Sequence, residues 1–215
     1  MRREDSRDFS DFNAENARDD SAMISLLLAS SSKHKACELA QLLGHDAEIR
    51  ALCEIVSIEE TGSTLEENAT IKALIISRLH PGELVLADDS GLEVDALGGA
   101  PGIRSARFAG EDASDVGNVE KLLRELANER QPTRSARFRC VLALARGGDI
   151  VASFAGKIDG TITETPRGGN GFGYDPVFIP DGYTETFAQL LVAEKNRISH
   201  RARAAAKLRD FLSAR

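Results

Sequence analysis

The sequence predicts an α/β fold, a mixed β-sheet with helices packed on it, and two observations carry that prediction. Through the first half, short apolar runs that fit buried strands alternate with helical patterns. The second half opens on two long runs, Arg137 to Arg146 and Ile150 to Ile158, separated only by Gly147-Gly148-Asp149, which read as an antiparallel hairpin. Residues 23–215 show no internal repeat and no linker, so a single domain is expected, with two lobes flanking a cleft.

Each element has a local cause. Ile24 to Ala29 is a short apolar strand, followed by the polar stretch Ser30-Ser31-Ser32-Lys33-His34-Lys35 and a helical pattern that stops at Gly44. Glu48 to Val56 suits a second strand. Thr64 with Glu67 three residues on forms a capping-box signature, opening a helix that Pro81-Gly82 ends near residue 79. Leu84 to Ala87 is again a buried strand and runs into Asp88-Asp89-Ser90-Gly91, which places two acids at a strand's carboxyl end. After Leu92 to Val94 and a glycine-rich loop at Gly98 to Gly102, a helix is expected from about Ser114 to Asn128. Pro166 to Gly173 holds four glycines in eight residues and reads as a loop. A last helix from about Ser199 carries the stripe Ala204, Leu208, Phe211 and Leu212.

Composition removes several classes. With 42% hydrophobic and 28% charged residues in 215, the chain is neither disordered throughout nor fibrous. Its longest strictly apolar run, Cys140 to Ala145, is far below the ~20 residues of a membrane-spanning helix. A net charge of −7 argues against nucleic acid as a partner. Cys37, Cys53 and Cys140 form no C-x-x-C pair, which fits a reducing cytoplasm, and four scattered histidines lack transition-metal spacing. The first 22 residues, with seven acids and four arginines, are expected to be a disordered tail and resemble neither a secretory signal nor a transit peptide.

Charge is also segregated. Residues 83–116 hold eight acids against two arginines, and residues 191–215 hold seven Lys or Arg against two acids. That distribution suits a divalent cation beside a polyphosphate, and equally a solvated helix face. Asp88 and Asp89, with Glu59 and Glu60 before the Thr61-Gly62 turn, could bring carboxylates together, and an all-oxygen set suits Mg²⁺ or Mn²⁺. One aspartate could bind metal while the other orients or deprotonates a water; alternatively D-D-S-G is an acidic turn. Lys33, His34, Lys35, Lys72, Lys195, Arg197, His200 and Arg201 supply donors for phosphate oxygens. The Ser30 to Lys35 loop, before a helix, adds backbone N–H groups. Phe172, Gly173, Tyr174 and Asp175 offer a place where a base could stack, or two core aromatics. Neither a dinucleotide fingerprint nor a Walker loop is present.

Taken together these motifs resemble the inosine triphosphate pyrophosphatase family. The likeness spans residues 24 to about 213 through Glu59-Glu60-Thr61-Gly62, Glu67-Asn68-Ala69, Ala87 to Leu92, Gly98 to Ile103, Ser105-Ala106-Arg107, Gly171 to Pro176, Glu194-Lys195 and Ser199-His200-Arg201. The resemblance implies an elongated mixed sheet, two lobes around a nucleotide-binding cleft and a homodimer. It also implies Mg²⁺-dependent hydrolysis of ITP, dITP and XTP to monophosphate and pyrophosphate. Asp89 would then activate the water. Glu60 and Asp89, helped by Asp88, would serve the metal, and Lys35 and Lys72 would neutralise the triphosphate. Ser90, Phe172 to Asp175, Lys195, His200 and Arg201 would form the nucleoside pocket. Two positions depart from the family pattern: Ser32 stands where Asn is usual and His34 where Gly is common. Leu28-Ala29-Ser30-Ser31-Ser32 is also similar to the Maf-type pyrophosphatases, which act on pyrimidine and modified nucleotides. A nucleotide sensor without catalysis is the remaining alternative.

Overall fold

The computed structural model describes residues 23–52, 56–129 and 133–214. The tail over residues 1–22, expected to be disordered, and the far part of the expected second strand at 53–55 lie outside the described residues. The six strands are β1 (Ile24–Leu28), β2 (Ala47–Ala51), β3 (Leu84–Val94), β4 (Ser135–Arg146), β5 (Asp149–Ile162) and β6 (Phe178–Pro180). They form one mixed sheet in the order β2-β1-β3-β4-β5-β6. The first three run parallel, and β4, β5 and β6 are antiparallel to their neighbours.

Helices cover both faces. On one side α1 (Lys33–Leu43) and α5 (His200–Ser213) pack Leu39, Leu43, Ala204, Leu208 and Leu212 against Leu26, Leu28, Leu86, Leu142 and Leu144. On the other side α2 (Leu65–Leu79) sets Leu65, Ala69, Ala73 and Ile76 on Leu27, Val85, Ala87, Val141 and Ala143. A third core at the far ends of the long strands gathers Leu92, Val94, Phe138, Ile158 and Phe178 with Leu122 and Leu126 of α3 (Asp115–Asn128). Beyond β6 the short α4 (Val192–Ile198), which no pattern announced, precedes α5.

The helix starts follow their caps. Ser32, Thr64, Ser114 and Ser199 each accept a bond from the backbone N–H three residues on. In the expected box at α2, Glu67 reaches back to the N–H of Ser63 at 2.6 Å. The β4–β5 hairpin turns on Gly147 and Gly148, both at positive φ, as a two-residue connection requires. Gly156 fixes the seat of α5, because a Cβ there would stand 2.0 Å from the His200 carbonyl oxygen.

One expectation is corrected. Asp88-Asp89-Ser90-Gly91 is no turn at a strand end: β3 is continuous over eleven residues and pairs with β4 from Val85 to Val94, Asp88 opposite Leu142 and Asp89 opposite Val141. What ends there is the neighbour on the other side, since β1 pairs with β3 only as far as Leu86. The two aspartates therefore follow the point where the parallel and antiparallel halves part, where open α/β sheets place their ligands.

Candidate active site

Strand alternation sends Asp89 towards α2 and Asp88 towards α1 and α5. On the α2 face, Lys72 is only 8% exposed. Its ammonium donates to Asp89 Oδ1 at 2.5 Å, to Glu60 Oε1 at 3.0 Å and to the Asp88 carbonyl at 2.9 Å. Glu60 takes a second cation, Arg107, at 2.9 Å. Asp89 Oδ2 is buried without a partner. Burial is the largest influence on Asp89 and lifts its pKa above the usual aspartate value, against the pull of Lys72. Burial opposes charge on Lys72 and Glu60 too. There the ion pairs prevail, raising the lysine pKa and lowering that of the glutamate.

The opposite face is saturated. Asp88 Oδ1 accepts from Lys35 at 2.6 Å and from the Ser90 hydroxyl at 2.9 Å, and Oδ2 accepts from Arg201 Nε at 2.8 Å. Burial resists the Asp88 charge, yet Arg201 and Lys35 hold its carboxyl well below the usual range. Arg201, itself buried, also pairs with Glu38 and donates to Ser90 Oγ at 3.1 Å. Lys195 joins Glu38 at 2.7 Å to Asp175 at 2.6 Å. Burial, reinforced by the positive charges of Arg201 and Lys195, pushes His200 well below the ordinary histidine value, so it is neutral; its Nδ1 is unpartnered. The ring lies flat on Phe138, 4.7 Å between centroids.

Between these groups opens a cleft of about 1120 Å³. Ser30, Ser31, Ser32, Lys33, His34 and Lys35 line it, as do Glu60, Lys72, Asp89, Ser90, Phe172, Gly173, Tyr174, Asp175, Lys195, His200 and Arg201. The N-termini of α1 and α5 both border it, and a helix N-terminus favours anions. Within the set, Ser32 spends its hydroxyl as the α1 cap, and the Tyr174 hydroxyl is tied to the Ser105 carbonyl at 2.9 Å, a packing bond. Gly173 N donates to Asp115 at 2.7 Å.

Two sequence expectations do not converge here. Glu59 is exposed and does not line the cleft. The Asp88 carboxylate lies on the other side of the sheet from those of Glu60 and Asp89, with both oxygens engaged by Lys35, Ser90 and Arg201. Among the described residues no three His, Cys, Asp or Glu form a ready-made metal cage. What remains is two carboxylates with one free buried oxygen, and Mg²⁺ is commonly held by one or two carboxylates plus water and substrate phosphate. Two participants escaped the sequence reading. Glu38 had only its position three residues after Lys35 on one helix face to signal it, and Arg107 arrives on the 3-10 turn Gly102–Arg107.

Fold and site together define a mixed α/β protein whose acid–lysine centre and cation-lined cleft suit a polyphosphate hydrolase. The Ham1 family model matches residues 26–211, and the chain belongs to that family. It is 48% identical to the dITP/XTP pyrophosphatase of Bacillus licheniformis over 88% of this chain and 98% of that one. The enzyme of the same name from Porphyromonas gingivalis is 47% identical over the same shares. The Staphylococcus aureus Ham1 protein superposes with a TM-score of 0.78 at 40% identity, covering 88% of this chain and 98% of that one. The Coxiella burnetii HAM1 protein gives 0.79 at 41%, covering 90% and 100%.

Proposed function

We propose that the chain hydrolyses non-standard purine nucleoside triphosphates, ITP, dITP and XTP, to the monophosphate and pyrophosphate, removing them from the nucleotide pool. The observation that carries this reading is the unpartnered, buried Oδ2 of Asp89 beside Lys72 and Glu60. Asp89 Oδ2 takes a proton from water as the water oxygen bonds to phosphorus and the α–β anhydride bond breaks. Its raised pKa makes it a better base than an ordinary aspartate once ionised. Lys72 fixes the carboxylate through Oδ1, which leaves Oδ2 free for the water. Glu60 and Asp89 are the residues that would hold Mg²⁺, with Mn²⁺ as a substitute; a bound ion there neutralises charge on the phosphates. Lys35 and the N-terminal turn of α1 face the triphosphate.

The far end of the cleft favours a base rich in acceptors. Arg201 has five N–H groups and spends three, on Asp88, Glu38 and Ser90; Lys195 spends two of three, on Glu38 and Asp175. The unspent donors suit a 6-oxo group, where adenine would present a donor to donors. Phe172 offers a face for stacking. On the same reading the protein works on free nucleotides in the cytoplasm as a homodimer, without nucleic acid or membrane. Among the described residues, no helix is long and apolar enough to cross a membrane.

Incubation with ITP, XTP, GTP, ATP, dTTP and UTP plus Mg²⁺, separating pyrophosphate from orthophosphate, tests the proposal. Pyrophosphate from ITP and XTP is expected. Turnover of dTTP or UTP instead would transfer the chain to Maf-type chemistry, and binding without product would make it a sensor.

A further inference from the structure

The imidazole of His34 lies against the Phe172 ring, 5.1 Å between centroids and 16° between planes. We propose that these two rings are the jaws of a clamp that closes on both faces of the substrate's nucleobase, with His34 as a base-binding residue. The inference rests on the nucleotide reading above.

Both jaws stand on anchored backbone. His34 is the second residue of α1, whose start is held by the Ser32 cap, and the next residue, Lys35, is tied to Asp88. Its backbone therefore cannot retreat while the phosphate end of the cleft stays in place. Phe172 is held too, its N–H donating to Asp175 Oδ2 at 2.9 Å and that of Gly173 to Asp115 at 2.7 Å, so the slot opens by rotation of the side chains and not of the backbone. His34 is exposed and belongs to none of the three cores, so folding does not demand the stack. Nearly parallel rings that part by one ring thickness leave a slot for a flat heteroaromatic group.

The surroundings suit that occupant. Lys195 Nζ and Arg201 Cζ stand 5.0 and 5.7 Å from the Phe172 centroid, so a base in the slot meets their unspent donors. His34, Phe172 and Lys195 line both the main cleft and a smaller cavity of about 200 Å³, which gives the displaced ring somewhere to go.

The experiment compares wild type, His34→Ala and His34→Phe in ITP hydrolysis. Inhibition by IMP and by inorganic tripolyphosphate is measured in parallel. For His34→Ala the KM for ITP and the inhibition constant of IMP should both rise about three- to tenfold, the range a lost aromatic stack produces. The kcat and the tripolyphosphate constant should stay put, and His34→Phe should restore both raised values. Wild-type pyrophosphate release decides the parent reading independently. Given that release, an unchanged or lowered KM in His34→Ala overturns the clamp. So does an equal loss for tripolyphosphate, which would place His34 at the phosphates.

Discussion

Asp88 and Asp89 are covalent neighbours on β3, and the pleat of the strand sends them to opposite sides of the sheet. Asp88 meets Lys35 and Arg201 and has every oxygen occupied; Asp89 meets Lys72 alone and keeps Oδ2 free. Both are buried, yet their pKa values move in opposite directions: at Asp88 the close pairs with Arg201 and Lys35 outweigh desolvation, whereas at Asp89 desolvation, helped by the negative charge of Glu60, outweighs Lys72 and the more distant Lys35. The comparison teaches that burial alone does not make a carboxylate reactive. A saturated carboxylate is a strut, and an under-compensated one is available for chemistry.

The sharpest way to break this contrast is to neutralise each aspartate in turn. Asp89→Asn removes the proton acceptor and should lower kcat for ITP by about 10²–10⁴-fold. Its thermal midpoint should stay near wild type, since Lys72 keeps Glu60 as a partner. Activity near wild type would remove Asp89 from the role of base. Asp88→Asn should do the reverse damage, leaving the buried Arg201 and the half-buried Lys35 beside a neutral amide at a cost of about 3–5 kcal/mol. Differential scanning calorimetry should then show Tm about 10 °C lower. An unshifted Tm would show that Asp88 is not the strut described here.

A pH profile sharpens the same comparison. Asp89 must be ionised to accept a proton, and its pKa lies above the ordinary value, so kcat/KM should fall on acidification while Asp88 is still charged. The acid limb should sit above pH ~4, the ordinary aspartate value. A limb at or below that value, with carboxyl NMR of the metal-free protein also placing Asp89 there, would contradict the raised pKa.

The strength of the sequence reading varied with how local each cause was. Caps at Thr64, Ser114 and Ser199, the Gly147-Gly148 hairpin and the apolar stripe of α5 were legible because each depends on residues within one turn of the chain. The course of β3 was not, since D-D-S-G has turn composition and only its ladder with β4 keeps it extended. Had those residues been read as strand, period-two alternation alone would have separated the two aspartates. The Glu38 pairs with Lys195 and Arg201 join residues more than 150 positions apart, and no spacing rule reaches that far.

The smallest expected effect concerns His200, which shares the Asp88 side. Burial depresses its pKa, so the folded state binds fewer protons than the unfolded chain below pH ~6.5, the unfolded histidine value. Its contribution is therefore complete above that pH and lost as pH falls, which should make Tm slope downward from about 6.5. His200→Gln keeps a neutral polar side chain and removes the proton, so the slope between about pH 6.5 and 5 should flatten while the steeper acid loss set by Asp88 persists. A wild-type slope retained in His200→Gln would show that His200 is not the group behind it.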